Sequence, residues 1–171
     1  MGVVYVMNYI IIANIFALIG SLFMVSASYV KSDKVCVMLQ SVQIFMFVIS
    51  NFLLKGITGV IINSLSLVRN ILTYKQKLNT ILKYLLLGFI VILSIVFNNL
   101  GIVGYLPLFG TIVFTIFIDS KDNFKFRASL TFSILMWLIY DTYIMSYSSA
   151  VFDFFSLVGG FISIYKMKKV S

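Results

Sequence analysis

The chain has 171 residues, 61% hydrophobic and 11% charged, with a mean hydropathy of +1.10. A soluble domain is about 45–50% apolar and about 25% charged, so there is too little polar surface here to cover a water-soluble globule, and the composition is that of an integral membrane protein. A net charge of +8 would suggest nucleic acid in a soluble protein but here reports topology, while the lack of His and the single Cys36 exclude a His/Cys metal site, a Cys/His nucleophile and an internal disulfide.

Hydrophobic runs at 8–30, 35–54, 57–74, 80–98, 102–118, 126–146 and 149–165 predict seven transmembrane helices. Each is roughly 17–23 residues, the length that crosses about 30 Å of hydrocarbon as a helix. The first run has no basic residue before it and no cleavage site after it, so it reads as a retained helix rather than a signal peptide. The polar breaks are KSDK (31–34), KG (55–56), YKQK (74–77), NNLG (98–101), DSKDNFK (119–125) and SYSS (146–149). Alternating ten-residue segments of the kind that build membrane barrels do not occur.

Of the 13 basic residues, 11 fall after the first, third, fifth and seventh runs, from Lys31 and Lys34 to Lys166, Lys168 and Lys169. The opposite side has Lys55 alone, and Arg69 lies inside the third run. Because basic loops stay cytoplasmic, the N-terminus is expected outside and the C-terminus inside, in a bacterial cytoplasmic membrane.

An odd number of spans invites a 3+1+3 repeat. At an offset of 90 residues, IFMFVISN (44–51) falls on ILMWLIYD (134–141), and VIINSLSLV (60–68) on AVFDFFSLV (150–158). Leu18 and Gly20 fall on Leu108 and Gly110, and Lys31 on Lys121. Asn51 meets Asp141, Asn63 meets Asp153, Ser66 meets Ser156 and Phe47 meets Trp137. Four crossings separate the copies, so the repeat is parallel: residues 8–75 form the first three-helix unit, 80–98 a linker helix and 102–166 the second unit. In transporters of this plan the substrate site lies at the repeat interface near the bilayer midplane.

An intramembrane carboxylate costs about 2.5–3.5 kcal/mol on insertion scales and persists where it faces a bundle interior or a water-filled cavity. Asn51, Asn63, Asp141 and Asp153 are therefore expected to form a polar ring in the outer half of the bundle, with Phe47 and Trp137 one turn further in and Ser66 and Ser156 beside them. Helical spacing adds Gln40, Gln43, Ser133, Asn70 and Gly160 to the same faces. The plainer reading makes Asn and Ser interhelical glue worth about 0.6 kcal/mol each and lets Asp153 touch the headgroups. Arg69, six residues from Lys75, is expected to snorkel to the cytoplasmic interface. Gly159 and Gly160 are expected to permit close helix contact.

Three stretches resemble the YgjV family of small bacterial inner-membrane proteins: LPLFGTIV (106–113), the MWLI of the sixth run with Asp153 downstream, and Ser66-Leu67-Val68-Arg69. The 3+1+3 plan is similar to that of the SWEET and PQ-loop transporter superfamily, including nicotinamide riboside carriers of the PnuC type. The PQ dipeptide itself is absent, and Pro107, the only proline, is matched by Ala17. The resemblance implies a transporter-like fold and leaves the substrate open.

The reading that follows is a secondary carrier or facilitator of a small polar metabolite, neutral or cationic or proton-coupled, with no cofactor and no enzymatic activity. Its partners are the lipid bilayer and the solute, with room for a homo-oligomer and none for nucleic acid. The alternative is a non-transporting receptor, or an assembly or lipid-interaction factor on the same scaffold.

Overall fold

The computed structural model describes residues 2–29, 33–117 and 122–170; the expected loop marks Lys31 and Lys121 lie outside the described residues. Lipid offers no partner for backbone N–H and C=O groups, so apolar runs of this length satisfy them internally as helices. The described residues form α1 (Gly2–Tyr29), α2 (Asp33–Leu53), α3 (Ile57–Tyr74), α4 (Thr80–Phe97), α5 (Leu106–Phe117), α6 (Asn123–Tyr143) and α7 (Tyr147–Val170), with a 3-10 turn at Val103–Tyr105 and no strand.

By length and apolarity alone, Met7–Ser26, Ile57–Tyr74 and Thr80–Phe97 suffice to cross a membrane, and Val37–Leu53, Val103–Phe117 and Tyr147–Ile162 are shorter apolar stretches. The helix α6, which contains Lys125, Arg127 and Asp141, falls in neither group. The largest departure from the expected lengths is α5, whose helix has 12 residues, about 18 Å of rise. The 3-10 turn takes up the start of the predicted run. Pro107 stands in the first turn of α5, where no intrahelical donor is lost.

Local chemistry sets the helix ends. Asn79 caps α4 by accepting from the Leu82 N–H at 2.8 Å, and Asp122 caps α6 by accepting from Phe124 and Lys125. The C-termini of α2 and α6 end alike. The Gly56 N–H bonds back to Asn51 O at 2.9 Å and the Lys55 N–H to Phe52 O at 3.1 Å; the Ser146 N–H bonds to Asp141 O at 2.8 Å and the Met145 N–H to Thr142 O at 3.3 Å. Lys55 (φ 59) and Met145 (φ 63) supply the left-handed residue of these Schellman ends. A side chain there costs about 1–2 kcal/mol in the left-handed region, against about 0.5–1 kcal/mol of extra chain entropy for Gly. Met145 is half exposed and anchors no core, so Met145→Gly is expected to stabilise the protein by about 0.5–1 kcal/mol. Thermal unfolding in detergent checks this; an unchanged or lower midpoint would argue against the strained turn.

The helices pack as two triplets, α1 on α2 on α3 and α5 on α6 on α7. Contacts of α1 with α7 and of α3 with α5 join the triplets, and α4 lies against α3 and α5. Glycine permits the close approach within each triplet. A Cβ on Gly20 would stand 3.2 Å from Gln43 O, and a Cβ on Gly110 would stand 3.2 Å from Ser133 O. Across the triplets, Asn14 of α1 donates to Met145 O and accepts from the Ser148 N–H, both at 2.9 Å. On the other side Asn99, ahead of α5, donates to Lys55 O at 2.8 Å.

Polarity is distributed inside out. Buried residues are more often polar than apolar, while Ile81, Leu85, Phe89, Ile92 and Val96 of α4 and Phe154, Phe155, Phe161 and Ile162 of α7 are exposed. A small apolar core of Ile62, Ile90 and Leu108 ties α3, α4 and α5 together. Exposed apolar surface on this scale fits a lipid-facing exterior and leaves the polar side chains to line the interior.

Candidate functional site

Between the triplets lies a cavity of about 230 Å³. The helices α2 and α6 contribute most of its wall, with Gln43, Ile44, Phe47 and Asn51 from one and Ser133, Ile134, Trp137 and Asp141 from the other. These residues are pairwise 90 positions apart. The same offset relates Asn63 of α3 to Asp153 of α7, and Met24 of α1 to Phe114 of α5, all of which line the cavity. The remaining lining residues are Ile62, Ser66 and Arg69 of α3, Thr111 of α5 and Leu130 of α6.

Seven of the eight expected site residues therefore share one cavity: Phe47, Asn51, Asn63, Ser66, Trp137, Asp141 and Asp153. Ser156 is not among the lining residues. Its counterpart Ser66, the same three positions after Asn63, does line the cavity. Gln40, expected on the same face as Gln43, is exposed. Asn70 is buried beside the cavity, where its Oδ1 accepts from the Arg69 guanidinium at 3.3 and 3.4 Å. Arg69 is thus a cavity residue, not merely a snorkelling one. Its six-residue distance from Lys75 fixed its depth along α3 but not its direction around the helix. Gly160 does permit close contact, a Cβ there standing 2.5 Å from Thr131 Oγ1, whereas a Cβ on Gly159 would meet nothing within 4 Å.

Asn51 and Asp141 occupy the corresponding position of the two Schellman ends, so backbone geometry fixes their depth. Both are 4% exposed. The Asn51 amide donates to Phe47 O at 2.9 Å, and its Oδ1 has no partner among the described residues. Asp141 Oδ1 is likewise without a partner. Ser149 hydrogen-bonds the Asp141 carboxyl, and Asp153 is near enough for its charge to act on it. Ser149 in turn accepts from the Ser146 hydroxyl at 3.1 Å. Asn63 Nδ2 is a buried donor without a partner. Left so, each such group costs about 1–3 kcal/mol.

The end of the cavity at Asn51 and Asp141 is closed by a contact that sequence patterning missed. Tyr140, fully buried, places its Oη 3.0 Å from the Gly59 N–H, an otherwise orphan donor in the first turn of α3. A Cβ on Gly56 or Gly59 would collide with Tyr140 Oη or with the Asn51 amide oxygen. Trp137 packs edge-on against Tyr140, ring centroids 5.7 Å apart. Among the described residues no group of three or more His, Cys, Asp or Glu could hold a metal ion.

The family model Imp-YgjV, described as a bacterial inner membrane protein, matches residues 11–171. The chain belongs to this family of bacterial inner membrane proteins. No curated protein and no solved structure matches it. In this YgjV-family protein the stretches that carried the resemblance all reach the cavity: Thr111 from LPLFGTIV, Trp137 and Asp153 from the second triplet, and Ser66 and Arg69 from the first.

Proposed function

We propose that this family member is a secondary carrier or facilitator of a small polar metabolite across the bacterial inner membrane. The observation that carries the reading is the composition of the cavity wall, built largely from pairs of residues 90 positions apart, one from each triplet. The matching Schellman ends at Lys55 and Met145, the glycine contacts at Gly20 and Gly110, and the reciprocal α1–α7 and α3–α5 packing support two copies of one three-helix unit. In this reading α4 is the linker that lets the second copy insert in the same direction, and seven helices span the bilayer. The basic-residue asymmetry supports an external N-terminus and a cytoplasmic C-terminus. Asn51 and Asp141 then lie in the outer half and Arg69 in the inner half. The plan is that of the SWEET-like and PnuC-like carriers, but the reading rests on the internal correspondences and not on that likeness.

Polar groups convergent on an apolar wall suit reversible binding of a small molecule. An assembly factor would need no such cavity at its centre. The test is flux. Proteoliposomes incubated in a total small-molecule extract of bacterial cytoplasm should take up at least one small polar solute faster than protein-free vesicles, read by mass spectrometry of the lumen. Equal contents for every solute would refute transport.

A further inference from the structure

Resting on the carrier reading, we propose that the solute is a zwitterion: its cationic group sits between Asp141 and Asp153, and its anionic group reaches Arg69. Both aspartates line the cavity and are close enough for their charges to interact, and Asp141, 4% exposed, keeps its Oδ1 without a partner among the described residues. Among the described residues no lysine or arginine forms an ion pair with either acid. A buried carboxyl group is neutralised by a proton or by a cation, and an ammonium group, with three donors, can bridge two carboxyl groups that share one cavity.

At the other end of the cavity the charge is reversed. The Arg69 guanidinium carries five donors, and its partner there is one neutral amide oxygen, Asn70 Oδ1, at the long limit of a hydrogen bond. Arg69 lies six residues beyond Asn63 on α3, about 9 Å of helix rise, and Asn63 is the counterpart of Asp153. Between the two charged ends the wall mixes apolar residues, Phe47, Ile134 and Trp137 among them, with the hydroxyl of Ser66. The unpaired donor Asn63 Nδ2 beside the orphan acceptors argues against a bare metal ion, which would satisfy only oxygens. The matching ligand has a positive end and a negative end.

Trp137 is the only tryptophan and lines the cavity, so its fluorescence reports occupancy. The probes are ω-aminohexanoate, hexylamine, hexanoate and hexanol, with sodium chloride against choline chloride as the metal arm. The zwitterion is expected to bind at least roughly tenfold more tightly than either single ion, about the value of one charge-assisted contact. Arg69→Gln should reduce ω-aminohexanoate to the level of hexylamine, Arg69→Lys should keep much of the preference, and Asp153→Asn should reduce it to the level of hexanoate. Each variant is first checked for a monodisperse, thermally cooperative fold. Equal binding of hexylamine and the zwitterion, a preference that survives Arg69→Gln, a response to sodium alone, or no response to any probe would each overturn the proposal. Charge-selective binding without flux would remove the carrier and keep this site; flux of a singly charged solute would do the reverse.

Discussion

Asp141→Asn is expected to lower solute uptake by about ten- to a hundredfold while the protein stays folded, and Asp141→Leu to abolish uptake and destabilise the fold. The asparagine recreates the chemistry of Asn51 at the matching position and keeps an acceptor for Ser149. It removes the negative charge that a cationic group would meet. Hydrogen bonds to charged groups contribute about 1.5–3 kcal/mol, which corresponds to that range of affinity. Leucine leaves the Ser146–Ser149 hydroxyl pair without its terminal partner in a buried site, at about 1–3 kcal/mol. Uptake into proteoliposomes, normalised to the folded fraction from size-exclusion chromatography, checks both variants. If the carboxylate were only interhelical glue, Asp141→Asn would retain full uptake.

Gly59→Ala should destabilise the protein by about 1–3 kcal/mol, the usual range for overpacking. A Cβ there would overlap the Asn51 amide and stand 2.7 Å from Tyr140 Oη, so the Tyr140 contact to the Gly59 N–H and the aim of Asn51 would both be disturbed. The intrinsic preference of a helix for Ala over Gly, about 0.5–1 kcal/mol, works the other way. Gly88→Ala is the control: nothing lies within 4 Å of its Cβ, so it should be neutral or stabilising. Thermal unfolding of both variants in one detergent makes the comparison. Equal effects would mean that the Asn51–Tyr140–Gly59 cluster is loosely packed.

The seven helices were legible because each is an apolar run bounded by polar marks, and lipid enforces helicity on such runs. The KG break at 55–56 is a true boundary although neither α2 nor α3 ends in a long loop. Its signal was weak because Lys55 and Met145 are side chains rarely found at left-handed positions, and only the backbone hydrogen bonds identify the two turns as alike. The polar members of the cavity were legible for the converse reason: Asn51, Asn63, Asp141 and Asp153 stand out against apolar neighbours. The place of Arg69 in the cavity wall was not legible, because distance along a helix leaves its direction open. The closure by Tyr140 was invisible because its partners, Gly56 and Gly59, offer space and a backbone donor rather than a distinctive side chain. Tyr140 and its counterpart Ser50 also differ in size, so the offset comparison passed over them.

The most direct test of a carrier is access to the cavity from both sides of the membrane. Ser66→Cys in a Cys36→Ser background places one thiol on the cavity wall. Right-side-out and inside-out vesicles are each exposed to a membrane-impermeant thiol reagent, and the labelled fraction is read by mass spectrometry. A carrier predicts labelling from either side, slower when a bound solute occupies the cavity. Labelling from one side only, or from neither, would contradict it.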